Sequence, residues 1–216
     1  MRKILLATFL TLISGFSLLA QTDTKAKAIL AEVSRKYRSY EIIKADFAYT
    51  LDNPQANLKE THSGILYARP KTNKYRVVFK EQELISDGKN QWSYLKADKE
   101  VQLSEVEKGA DALNPANIFT FYEKGFKYLY TGESKLNGKV YQGIELVPLD
   151  GKKNYFKIRL SIDKLNKQIT NAVFFDKNGN RYTYVIKNFV PNVKVPESTF
   201  AFDASKYPGV EVVDLR

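Results

Sequence analysis

The chain has 216 residues, one His, no Cys and a net charge of +10. That length favours one domain with a core of its own. The composition excludes a disulfide framework and the common zinc patterns. Met1-Arg2-Lys3 is a short basic region, Ile4 to Leu19 is almost wholly apolar, and Ala20 is a small residue at a cleavage position. This is the form of a secretory signal peptide, and the run is short for a spanning helix, which usually needs ~20 residues. We expect residues 1–20 to be removed and 21–216 to form a single domain. The signal ends without a Cys, so a lipid anchor of the bacterial kind is not expected. Export argues against nucleic acid as a partner. The Lys residues are scattered, as on a solvated β face, with weak attraction to anionic membrane as the lesser reading.

A helix is predicted over about Thr24 to Tyr40. Ile29, Leu30, Val33, Tyr37 and Tyr40 fall on one stripe, and Thr22 or Asp23 can cap its start. Strands follow at about Ala45 to Leu51 and His62 to Arg69, with a polar loop from Asp52 to Glu60 between them. Residues 64–94 supply the next turns of the pattern. Tyr75, Val77 and Phe79 alternate with Arg76 and Val78, Leu84 runs into Asp87-Gly88, and Trp92 and Tyr94 share a strand. A sixth strand lies near Glu100 to Leu103. Alternation stops from Val106 to Gly125, where Asn114-Pro115 can open a short apolar helix containing Ile118, Phe119, Phe121 and Tyr122. That helix reads either as packed on the core or as a lid over a barrel mouth. Five more strands follow, and Asn137-Gly138, Asp150-Gly151 and Asn178-Gly179 mark turns between them. The tail can add a last short strand. About eleven up-and-down strands with two helices suggest one highly curved antiparallel sheet or an incomplete barrel.

No residue pattern points to catalysis. His62 is the only imidazole and sits among Glu60, Thr61 and Ser63, which reads as exposed. No Gly-x-Ser-x-Gly turn or phosphate-binding Gly loop occurs. Asp46, Asp87, Asp163 and Asp176 lie at strand ends or turns, where Asp is common. An enzyme is not expected, and neither a cofactor nor a metal is called for. The 14 Tyr and 13 Phe instead supply apolar surface, either as core and rim or as the lining of a ligand cavity.

The segments AKAILAEVSRKY, ADFAYT, GILYARPKTNKYR, ISDGKNQWSY, NPANIF and FAFDASKYPGVEVVD, in that order, resemble the LolA family of periplasmic outer-membrane lipoprotein carriers. Arg69-Pro70 followed by Tyr75-Arg76, and Ser86-Asp87-Gly88-Lys89 followed by Trp92, are the most specific parts. The resemblance implies an unclosed antiparallel β-barrel covered by the N-terminal helix and a central lid helix at about Pro115 to Tyr122. It implies a soluble periplasmic carrier that takes acylated lipoproteins from an inner-membrane ABC exporter to the outer membrane, without catalysis or cofactor. An outer-membrane receptor is left open, and a monomer is expected. Arg69 takes the place of the family's lid latch, an arginine bonded to helix backbone. Cavity-lining candidates are Phe47, Tyr49, Ile65, Tyr67, Val77, Phe79, Trp92 and Tyr94, faced by Ile118, Phe119 and Phe121. Alternation does not say which strand face is inward. Residues 106–113 are acidic and polar and do not align with the family's lid. The alternative is a carrier or sensor of another lipid or lipoprotein on the same scaffold.

Overall fold

The computed structural model describes residues 23–106 and 115–216. The expected leader and residues 107–114, including the cap at Asn114, lie outside the described residues. Helix α1 spans Thr24–Ser39, and Ala26, Ile29, Leu30, Val33, Ser34 and Tyr37 form its buried stripe. Asp23 caps it: Oδ1 accepts from the amides of Lys25 (2.8 Å) and Ala26 (3.2 Å). Its Oδ2 accepts from Tyr130 N at 2.8 Å, and its own amide donates to Tyr128 O. One residue thus caps the helix and fastens it to a sheet edge. The Tyr130 amide, foremost, holds the Asp23 carboxyl below its usual range.

Twelve strands make one open sheet. They are β1 Ile43–Asn53, β2 Leu58–Ala68, β3 Lys74–Phe79, β4 Gln82–Asp87, β5 Asn90–Leu95, β6 Glu100–Glu105, β7 Phe126–Leu136, β8 Lys139–Pro148, β9 Tyr155–Asp163, β10 Gln168–Asp176, β11 Arg181–Pro191 and β12 Glu211–Asp214. Their order is β12-β6-β5-β4-β3-β2-β1-β11-β10-β9-β8-β7. Neighbours are antiparallel except β12, which lies parallel to β6. Two meanders, β1–β6 and β7–β11, are therefore joined along β1 and β11. The connection from β6 to β7 leaves one wing of the sheet and re-enters at the far edge of the other, so it has to cross a face.

The segment 52–60, expected as a loop, is instead the tip of the β1–β2 hairpin. Its strands pair as far as Asn53 with Leu58, and Asn57 turns at φ +50°. Both faces there are polar, as at Thr50 and Thr61, whose hydroxyls meet at 2.9 Å, so no apolar alternation marked it. At Asn137-Gly138 both residues have positive φ, the geometry of a tight hairpin turn. The expected central helix is two three-residue 3-10 turns, Pro115–Asn117 and Phe121–Glu123.

The two faces of the sheet have different covers. On the inner face, α1 and residues 116–122 pack on Ile43, Leu66, Tyr75, Ile144, Leu160 and Phe174 in one core. On the outer face of β3–β6, the C-terminal segment covers a second group. Tyr94, Phe202 and Tyr207 are in ring contact there, above buried Ile85 and Val101.

Candidate functional site

Strand pairing settles which side chains face α1. Phe47 lies opposite Gly64, Ala45 opposite Leu66, and Leu66 opposite Val77. Phe47, Tyr49, Val77 and Phe79 therefore share the inner face with buried Leu66 and Ala68. Gly64 is required there. A Cβ on it would stand 2.7 Å from Phe47 Cζ and 3.1 Å from Phe79 Cδ1, so the two rings fill its place.

Ile65, Tyr67, Trp92 and Tyr94 fall on the other face. Ile65 pairs with Asp46 and Tyr67 with Lys44, both one step out of phase with the core residues of β1. Trp92 pairs with Ile85 and Leu103, and Tyr94 with Glu83 and Val101. Tyr94 is covered by the tail, its ring 4.8 Å from that of Tyr207. These four side chains cannot face the helix, because a strand turns successive residues to opposite sides.

The other half of the inner face comes from β8–β11, which sequence reasoning did not reach. Phe174, Tyr184, Ile186 and Phe189 are its large members. An unbroken series of ring contacts runs from Tyr49 through Tyr184 and Phe174 to Phe121 and Phe126. Alternation in β10 and β11 was visible in the sequence, but nothing in it ranked these strands above their neighbours. Burial pushes the Tyr184 hydroxyl up to about 12, and it also raises those of Tyr37 and Tyr122. These hydroxyls are uncharged at neutral pH.

Residues 115–123 form a plug over this face. Phe119 is 5% exposed and stacks on Tyr37 at 4.4 Å, with Phe189 edge-on to both. Phe121 packs on Phe174 at 5.7 Å and on Phe126 at 5.9 Å. The void left between Ile118, Phe119, Phe121 and the sheet is about 30 Å³. The polar ties of the plug to its surroundings include an Arg38–Glu123 ion pair, Ser34 Oγ to Tyr122 OH at 3.2 Å, and Tyr128 OH to Tyr122 O at 2.7 Å. Beyond Phe47 the inner face opens into a space of about 620 Å³ bordered by Tyr49, His62, Phe79 and Gln82.

Arg69 stands elsewhere than the resemblance implies. As the residue after inward Ala68 it turns to the other side. There its Nη2 lies 2.5 Å from Glu197 Oε1, and its guanidinium is 5.5 Å from the centroid of Phe200. Lys74 joins the same carboxylate at 3.1 Å. Hydrogen bonds from Lys74 and Arg69 hold the Glu197 carboxyl below its usual range. In this arrangement Arg69 fastens the C-terminal segment to the β2–β3 turn.

His62 is exposed, 3.8 Å from Glu60. Among the described residues, no group of three His, Cys, Asp or Glu is placed to hold a metal ion. No described helix is long and apolar enough to cross a membrane.

The same architecture occurs in solved structures. An uncharacterized conserved protein from Thermus thermophilus is 15% identical, with a TM-score of 0.60 over 88% of this chain and 99% of that one. LprF from Mycobacterium bovis is 13% identical, with a TM-score of 0.50 over 81% and 97%. A LolA superfamily protein from Nitrosomonas europaea is 13% identical, with a TM-score of 0.43 over 82% and 97%. No curated protein matches the sequence. The model of the outer membrane lipoprotein carrier protein LolA matches residues 38–203, most of the chain, and the protein therefore belongs to the LolA family.

Proposed function

We propose that this protein carries acylated lipoproteins through the periplasm, holding their acyl chains against the inner face of the sheet. On this reading the leader is removed and 21–216 acts as one domain. Cargo comes from an inner-membrane ABC exporter and passes to the outer membrane, and no catalysis is involved. The observation that carries the reading is the plug. Residues 115–123, two single 3-10 turns and the link between them, cover the central part of a large apolar face with Ile118, Phe119 and Phe121, leaving about 30 Å³ beneath them. Short 3-10 turns lack the continuous hydrogen-bond ladder of an α-helix, so the cost of moving them lies mainly in withdrawing their buried side chains. An acyl chain of ~15 methylenes gains roughly 12 kcal/mol by leaving water. A void of about 30 Å³ does not accept it, so on this reading the plug side chains give up their places as the chain enters.

The test is release from inner-membrane vesicles holding an outer-membrane-destined lipoprotein. On adding ATP and the mature protein, a soluble one-to-one complex is expected by native mass spectrometry. If only free lipid co-purifies, the cargo is another lipid. If neither lipid nor lipoprotein binds, the carrier reading is wrong.

A further inference from the structure

A groove of about 550 Å³ runs along one flank of α1, between the helix and Tyr122, Glu123 and Tyr128. Lys27, Arg35 and Arg38 of α1 and Lys71 of the β2–β3 turn border it. Among the described residues its one carboxylate is Glu123, which is tied to Arg38. The other charges of the helix are engaged away from the groove. Lys25 lies 3.8 Å over the Tyr130 ring, Lys36 donates to Asn166 O, and Glu32 pairs with Lys167 at 3.1 Å. Lys27, Arg35 and Lys71 have no side-chain partner among the described residues. These three cations thus border a groove whose walls include Leu30, Ala31, Tyr122 and Tyr128.

The dimensions select the ligand. Lys27 to Arg38 spans about 16 Å of helix at 1.5 Å per residue. That matches about five residues of extended chain. At Arg38 and Lys71 the groove meets a second hollow of about 310 Å³, walled by Pro70, Asn117, Phe119 and Thr120. A chain lying in the groove therefore ends against the plug. A carboxylate brought there competes with Glu123 for Arg38, and Glu123 belongs to the second turn of the plug.

We propose that this groove docks an extended acidic segment of a partner protein, and that docking draws Arg38 from Glu123 and loosens the plug. The docking stands on the groove alone; the loosening rests on the carrier reading above.

The probe is a fluorescein-labelled hexaglutamate peptide, with hexaglutamine as its neutral counterpart, followed by anisotropy at low salt. Hexaglutamate binds and hexaglutamine does not. Replacing both exposed cations, Lys27→Gln and Arg35→Gln, weakens binding about tenfold, within the range for two exposed ion pairs. Raising salt to about 0.5 M weakens it too. In parallel, hexaglutamate speeds uptake of cis-parinaric acid, a fluorescent fatty acid, and Glu123→Gln speeds uptake without peptide. Docking is overturned if the double variant binds hexaglutamate like the parent. It is also overturned if phosphatidylglycerol vesicles, and not the peptide, bind in a manner dependent on Lys27 and Arg35. Peptide binding with unchanged uptake overturns the loosening. Peptide binding by a protein that takes up no cis-parinaric acid under any condition keeps the docking site and ends the carrier reading.

Discussion

Phe119→Ala separates a plug from an ordinary core residue. The ring is 5% exposed, stacked on Tyr37 at 4.4 Å and met edge-on by Phe189 at 5.9 Å. Truncating such a ring costs about 3–5 kcal/mol of folding stability, and the new cavity joins the void of about 30 Å³ already beside it. If the ring were only core, acyl affinity would stay the same or fall with the damage. If cargo takes its place, the parent protein binds weakly because the ring must first be displaced. Removing it returns part of that cost to binding. Recovering half of ~3–5 kcal/mol tightens acyl binding by about ten- to sixtyfold, at 1.4 kcal/mol per factor of ten. Urea unfolding reads the stability, and titration with cis-parinaric acid reads the affinity. Phe119→Leu, which keeps most of the volume, falls between. Lost stability with unchanged or weaker acyl binding would refute the plug.

Gly64→Ala puts a Cβ 2.7 Å from Phe47 Cζ, where only ring ends can yield. We expect about 1–3 kcal/mol of destabilisation, read as a lower urea midpoint with unchanged slope. Equal stability would mean that Phe47 and Phe79 have slack. The Glu197 carboxyl is held below its ordinary value of 4.5 by Lys74 and Arg69. A depressed folded value contributes stability above pH 4.5 that is lost as pH falls through the folded value. The parent should therefore lose stability below about pH 4.5 that Glu197→Gln does not lose, and the difference should shrink in high salt because the group is exposed. Parallel stability curves from pH 6 to pH 3 would show that the ion pair contributes nothing.

Local signals in the sequence reach as far as single elements. The stripe from Ile29 to Tyr37 and the turn at Asn137-Gly138 need only neighbours three, four or one residue away, and they appear where expected. Which face of a strand is inward depends on distant chain. Trp92 and Tyr94 look like cavity residues because they are aromatic, yet tail residues Phe202 and Tyr207 cover their face. Arg69 is sent outward by the register of Ala68, and its partner Glu197 is visible only once the tail has folded back. The β1–β2 hairpin tip was missed because polar residues on both faces erase the period on which strand detection relies. The crossing from β6 to β7 is a property of sheet order, which alternation does not encode.

That crossing also bears on how a carrier can release what it holds. A preformed dry cavity would keep the whole ~12 kcal/mol of a ~15-methylene chain, and a membrane acceptor would have little to offer in exchange. Here Ile118, Phe119 and Phe121 lie on the inner face, set on a connection that has to pass over the sheet. Each such side chain gains about 1.5–3 kcal/mol by burial, so displacing three offsets roughly 4–9 kcal/mol of the gain from the acyl chain. The remainder is a grip that a bilayer can overcome. On the carrier reading, residues 115–123 both cover the apolar face and set how tightly it holds an acyl chain, and both roles follow from the same three side chains.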